Sequence, residues 1–79
     1  MTALRDRVRA LMAEAFRIPA DELPAAPTAD NVRGWDSLGH MDLIAALEDE
    51  FKIGIPHAQS VNLLSEADIV AWLSAQGRS

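Results

Sequence analysis

Leu4, Val8, Leu11, Met12 and Ala15 recur at i, i+4, i+7, i+8 and i+11. That spacing lays an apolar stripe along one side of a helix over residues 2–16. Arg5, Asp6, Arg7, Arg9 and Glu14 fall on the other side and read as a solvated face. Thr2 is a candidate N-cap; Pro19 and Pro24 end the element, and Pro27 keeps the following chain irregular. Residues 17–36 form a long connection with three prolines and Gly34, and connections of this length are often functional. Its expected anchors onto the core are Ile18, Leu23, Val32 and Trp35.

Leu43, Leu47 and Phe51, at i, i+4 and i+8 with Ile44 beside them, mark the clearest helix, over residues 37–51. Either Asp36 or Ser37 can cap its first turn. Gly54 and Pro56 stop it, and Lys52 near its end suits the helix dipole. Pro56 is placed to open a short helix over about 57–62. A last helix covers about 66–76: Ser65 and Asp68 have capping-box spacing, Ile69 and Leu73 form a core pair flanked by Val70 and Trp72, and Gly77 ends it. No segment alternates as a strand does. The fold class expected is all-α: a small four-helix bundle of three main helices and one short one, with a long first loop, forming a single domain over 1–79. Leu4, Val8, Leu11, Leu43, Leu47, Phe51, Ile55, Ile69 and Leu73 should face inward.

Composition narrows the function. The 79 residues are 49% hydrophobic and 24% charged, which suits one small folded domain. The absence of cysteine excludes disulfides, thiol catalysis and cysteine-rich zinc sites, and His40 and His57 alone make a poor metal set. No run is long and apolar enough for a membrane span, and the charged N-terminus is unlike a signal peptide. The expectation is a soluble, cytoplasmic monomer with no membrane partner. The net charge of −5 is uneven. Arg5, Arg7, Arg9 and Arg17 against Asp6 and Glu14 leave residues 1–20 at +2, while Arg33, Lys52 and Arg78 against ten acids leave residues 21–79 at −7. Nucleic acid is therefore not an expected partner, and proteins with basic docking surfaces are.

The stretch Gly34-Trp35-Asp36-Ser37-Leu38-Gly39-His40-Met41 carries the candidate chemistry. A serine stands where an irregular loop enters an amphipathic helix. Read plainly, Ser37 is an N-cap, but Asp36 can cap as well and leave Ser37 to point outward. Leu38 and Met41 lie off the inward stripe, and Glu48, Asp49 and Glu50 follow. An apolar patch beside carboxylates, starting at a serine, reads as a docking surface around a modifiable hydroxyl. A hydrolase triad of Ser37, His40 and Asp36 is disfavoured, because G-x-S-x-G is absent and neighbours on one turn do not align as nucleophile, base and orienter. Trp35 reads as a loop anchor, Trp72 as partly buried, and His40 and His57 as helix-surface residues.

Asp36-Ser37-Leu38, the helix through Leu43-Ile44-Ala45-Ala46-Leu47-Glu48-Asp49-Glu50-Phe51, and Ile55-Pro56 together closely resemble acyl carrier proteins. The resemblance covers the whole chain, with the elements in the family's order. It implies that Ser37 receives 4'-phosphopantetheine from coenzyme A through a phosphodiester, with Asp36 assisting. The arm's thiol then holds acyl groups as thioesters, and the chain is a non-catalytic carrier. The implied partners are a phosphopantetheinyl transferase and the enzymes that load and take the acyl group. Helix phase puts Leu38, Met41, Asp42, Ala45, Glu48 and Asp49 on the face that meets them. Trp35 before the motif, Gly39-His40-Met41 after it, and a third helix without strong acidity look more like carriers of specialised polyketide, peptide or glycan pathways. The alternative is an unmodified helical adaptor that binds a partner through Leu38 and Met41.

Overall fold

The structure, a computed structural model, describes residues 3–78. Four helices follow in order: α1 (Ala3–Phe16), α2 (Ser37–Phe51), α3 (His57–Ser60) and α4 (Glu66–Ala75), with a single 3-10 turn at Ala20–Glu22. The expected all-α bundle is what the chain forms; Thr2 lies outside the described residues. α1 packs against α2 and α4. No helix among the described residues is long and apolar enough to cross a membrane.

Leu4, Val8, Met12 and Phe16 bury the inner edge of α1. They meet Leu43, Leu47 and Phe51 of α2, Ile69 and Leu73 of α4, and Ile55 and Leu63 from the connections. Leu11 and Ala15 are only half-buried, because the stripe follows i, i+4 steps to Phe16 rather than spreading toward Leu11. Leu23, Pro27, Val32 and Trp35 pin the long loop, and Trp35 lies against Phe16 with ring centroids 4.9 Å apart.

Helix ends depart from the expected punctuation. α1 stops before Pro19: Arg17 turns left-handed at φ 59°, and the Arg17 and Ile18 amides donate back to the Glu14 and Ala13 carbonyls. α2 stops before Gly54 in the same way, with Lys52 at φ 54° and the Ile53 amide donating to Glu48. Both closures satisfy the last carbonyls without a glycine. α4 is followed by Gly77 at φ 79° and is capped at its start by Ser65, whose hydroxyl accepts the Asp68 amide at 3.0 Å. α3 is shorter than the pattern suggested and covers His57–Ser60 alone.

The loop is tied down by contacts far apart in sequence. Glu66 is buried, and its two carboxylate oxygens take Arg5 at 2.6 Å and Arg9 at 2.8 Å. The same arginines donate to loop carbonyls, Arg5 to Ala25 and Arg9 to Pro24. These two are therefore not a solvated face: they clamp α1, the loop and α4 around one carboxylate. Arg7, between them, pairs instead with the exposed Glu50 at 2.6 Å and lies 4.5 Å from the Phe51 ring centre. Beside the clamp, the Ala29 amide donates to Leu64 and the Glu66 amide to Pro27, which makes an isolated bridge of Thr28 with Ser65.

Where the loop meets α2 the backbones almost touch. A Cβ on Gly39 would overlap the Gly34 carbonyl oxygen, and one on Gly34, at φ 93°, would sit 2.8 Å from the Phe16 carbonyl. Gly39→Ala should therefore cost about 2 kcal/mol or more in urea unfolding, since the obstruction is backbone and cannot rotate away. Glu66→Gln should cost about 1–3 kcal/mol, as two charge-assisted bonds weaken at a buried site, whereas Arg7→Ala should cost less than about 1 kcal/mol. Equal losses for the Glu66 and Arg7 variants would show that the clamp carries no special weight.

Candidate functional site

Asp36 takes the N-cap of α2. Its backbone is extended, and its carboxylate oxygen Oδ1 accepts the Gly39 amide at 2.8 Å. Its carbonyl accepts the His40 amide, also at 2.8 Å. Of the two residues able to cap, Asp36 therefore does so, and Ser37 becomes the first residue inside the helix. Ser37 is exposed, and its hydroxyl has no hydrogen-bond partner among the described residues. Ser37 thus stands at the N-terminal end of α2, where the helix dipole favours an anion.

The large exposed hydrophobics gather round that serine. Leu38 is 66% exposed and Met41 68%, on the first turns of α2; Val61 at 49% and Leu64 at 47% stand on the chain after α3. Ser37, Trp35, His40, Met41, Val61 and Leu64 border a groove of about 440 Å³ between the loop, α2 and the α3–α4 connection. The sequence reading placed Leu38 and Met41 beside Ser37 but gave no sign of Val61 or Leu64. Both reach the site through the fold and carry no periodic signal of their own.

His40 is no simple surface residue. Its ring is half-buried, with Nδ1 3.1 Å from the Trp35 indole nitrogen and Nε2 2.9 Å from the Ser60 carbonyl. With both nitrogens engaged, neither serves Ser37 as a base, and Asp36 is occupied in capping. His57 is exposed at the start of α3. No group of three or more histidines and carboxylates comes together as a metal site among the described residues.

Of the acids expected on the docking face, Asp42 and Asp49 are exposed, as is the apolar Ala45. Glu48 is half-buried, and its Oε2 accepts the Ile55 amide at 2.8 Å. It pins the segment after α2 as well as carrying charge, because Lys52 turns the chain back over the last helical turn. Glu50 points the other way, to Arg7.

The residues present suit a phosphodiester: a free hydroxyl, an exposed helix start, and a capping side chain other than the serine itself. Comparison with known proteins agrees. The family described as "Phosphopantetheine attachment site" matches residues 6–73. The acyl carrier protein of Helicobacter pylori is 34% identical over 73 residues, covering 90% of this chain and 91% of that one. That of Campylobacter jejuni subsp. doylei is 34% identical over 68 residues, with 86% and 88% covered, and that of Akkermansia muciniphila 28% over 71, with 90% and 89%. The chain belongs to the phosphopantetheine-binding family of the acyl carrier proteins. Its cofactor is accordingly 4'-phosphopantetheine, and the family's role is that of a carrier rather than a catalyst.

Capping by Asp36 can be separated from its charge. Asp36→Asn keeps a good N-cap and should leave stability within about 0.5 kcal/mol, whereas Asp36→Ala should lose about 1 kcal/mol. Chemical unfolding of the two variants reads the difference, and equal losses would place the stabilisation in the charge rather than in the bond to Gly39.

Proposed function

We propose that Ser37 is the residue that receives 4'-phosphopantetheine, and that the loaded chain ferries acyl groups between partner enzymes. The observation that supports this most is the Ser37 hydroxyl, unbonded at the exposed start of α2 because Asp36 has taken the cap. Ser37 Oγ supplies the attachment oxygen, and the first-turn amides favour the phosphate charge there. Asp36, adjacent and exposed, assists the phosphopantetheinyl transferase. When bound, the group supplies the thiol this cysteine-free chain lacks and holds the acyl group on it as a thioester.

The partners meet the face beside Ser37. Leu38, Met41 and Ala45 give short-range apolar fit, and Asp42 and Asp49 give an exposed negative field that speeds encounter with basic patches. Glu48 adds its charge to that field while holding Ile55. The form Trp35-Asp36-Ser37-Leu38-Gly39-His40 supports a specialised pathway of polyketide, peptide-hybrid or glycan type.

With coenzyme A and a transferase, the parent chain should gain the mass of one phosphopantetheine and Ser37→Ala none. Asp36→Asn should load more slowly at unchanged stability. Modification of the Ser37→Ala chain sinks the assignment. Because Glu48 is needed for folding contacts, the docking test uses the two exposed acids, Asp42 and Asp49. Asp42→Lys with Asp49→Lys should slow acyl transfer to a partner, with a salt dependence in the parent that fades in the variant. Coincident curves of turnover against ionic strength would leave docking to the apolar residues alone.

A further inference from the structure

The arrangement around His40 governs where a group carried from Ser37 can lie, an argument that rests on the Ser37 assignment above. The Trp35 indole can only donate, so Nδ1 of His40 accepts across the 3.1 Å between them. The Ser60 carbonyl can only accept, so Nε2 holds the proton in the 2.9 Å bond to it. The two bonds together need the neutral ring with its hydrogen on Nε2. The two rings lie edge to edge and nearly coplanar, with the planes 17° apart, as an in-plane N–H···N bond requires.

Among the described residues this is the one hydrogen bond that runs directly from α2 to α3. A second tie closes the far end of the same seam, from Glu48 to the Ile55 amide. Beneath the seam the core is shut: Leu43 and Leu47 are 0% exposed and Leu63 1%. The space open to a carried group is outside. It consists of the groove of about 440 Å³ at Ser37 and a neighbouring one of about 310 Å³ over Ile44, Ala45 and Ile55. His40, Met41 and Val61 border both.

We propose that His40 is a latch across the α2–α3 seam, which keeps the carried acyl group in the outer grooves beside Met41 and Val61 and out of the core. The chain is thereby suited to short acyl groups. Each methylene gains by leaving water, so a longer chain would press between the helices if the seam opened. Opening it takes from the Ser60 carbonyl one of its two donors, leaving only the Leu63 amide, and parts side chains at close packing. His40 is a positioning residue in this scheme and takes no part in bond making.

Two readouts test the latch. His40→Leu keeps apolar bulk and loses the donor, His40→Ala loses both, and His40→Gln keeps a donor for Ser60. In the unloaded chain, amides of residues 59–63 should exchange at least about tenfold faster in His40→Leu than in the parent, and at close to the parent rate in His40→Gln. Each form is then loaded from acetyl- to octanoyl-coenzyme A with a transferase. The Tm of the parent should stay flat with chain length, while that of His40→Leu or His40→Ala should climb by about 4 °C or more. A parent Tm that climbs as steeply as the variants, or unchanged exchange in His40→Leu, overturns the latch. Failure of every form to gain mass overturns the Ser37 assignment instead, and the exchange data still decide the latch.

Discussion

Twenty residues of irregular chain, from Arg17 to Asp36, must be held still before Ser37 has a fixed place. Ordering each residue costs about 1–2 kcal/mol of backbone entropy, so a loop this long needs firm holds. Three kinds are present. Leu23, Pro27, Val32 and Trp35 sink into the core. Arg5 and Arg9 gather loop carbonyls and the Glu66 carboxylate into one cluster. Gly34 and Gly39 allow the loop backbone to press directly on the start of α2. Without the third hold the first two would fix the loop but leave the helix start free to drift.

The site follows from that placement. Once the loop delivers Asp36 in an extended conformation, its side chain closes the first turn and Ser37 is relieved of the task a serine there would otherwise take. The hydroxyl is then exposed for a reason internal to the chain. The same loop brings the edge of Trp35 against His40, so the wall of the groove, the link to α3 and the cap come from six consecutive residues. Helix start and groove are one local arrangement.

What could be read from the sequence divides by distance along the chain. The inward faces of α1, α2 and α4, the Ser65 cap, and the alternatives of Asp36 and Ser37 rest on spacings of one to four residues, and periodicity reports such spacings well. The burial of Glu66 depends on two arginines some sixty residues earlier, which no local pattern announces. His40 and Glu48 sit at exposed phases of a helical wheel, yet each reaches a backbone group of a neighbouring segment. The ends of α1 and α2 fall where expected, at Phe16 and Phe51, but the chain is turned there by Arg17 and Lys52 in the left-handed region rather than by the prolines and glycine that follow.

That last feature bears on how this chain can change over time. A side-chain-bearing residue in the left-handed region stores about 1 kcal/mol or more of backbone strain, which glycine would not carry. Lys52 is exposed, and its one ion pair, to Asp49, spans 4.0 Å in open solvent, so little else holds a lysine there. The far end of α2 thus contains a reserve of stability, at the opposite end of the helix from Ser37. A lineage can draw on it with a single substitution to glycine and use the gain to tolerate destabilising changes elsewhere in the chain.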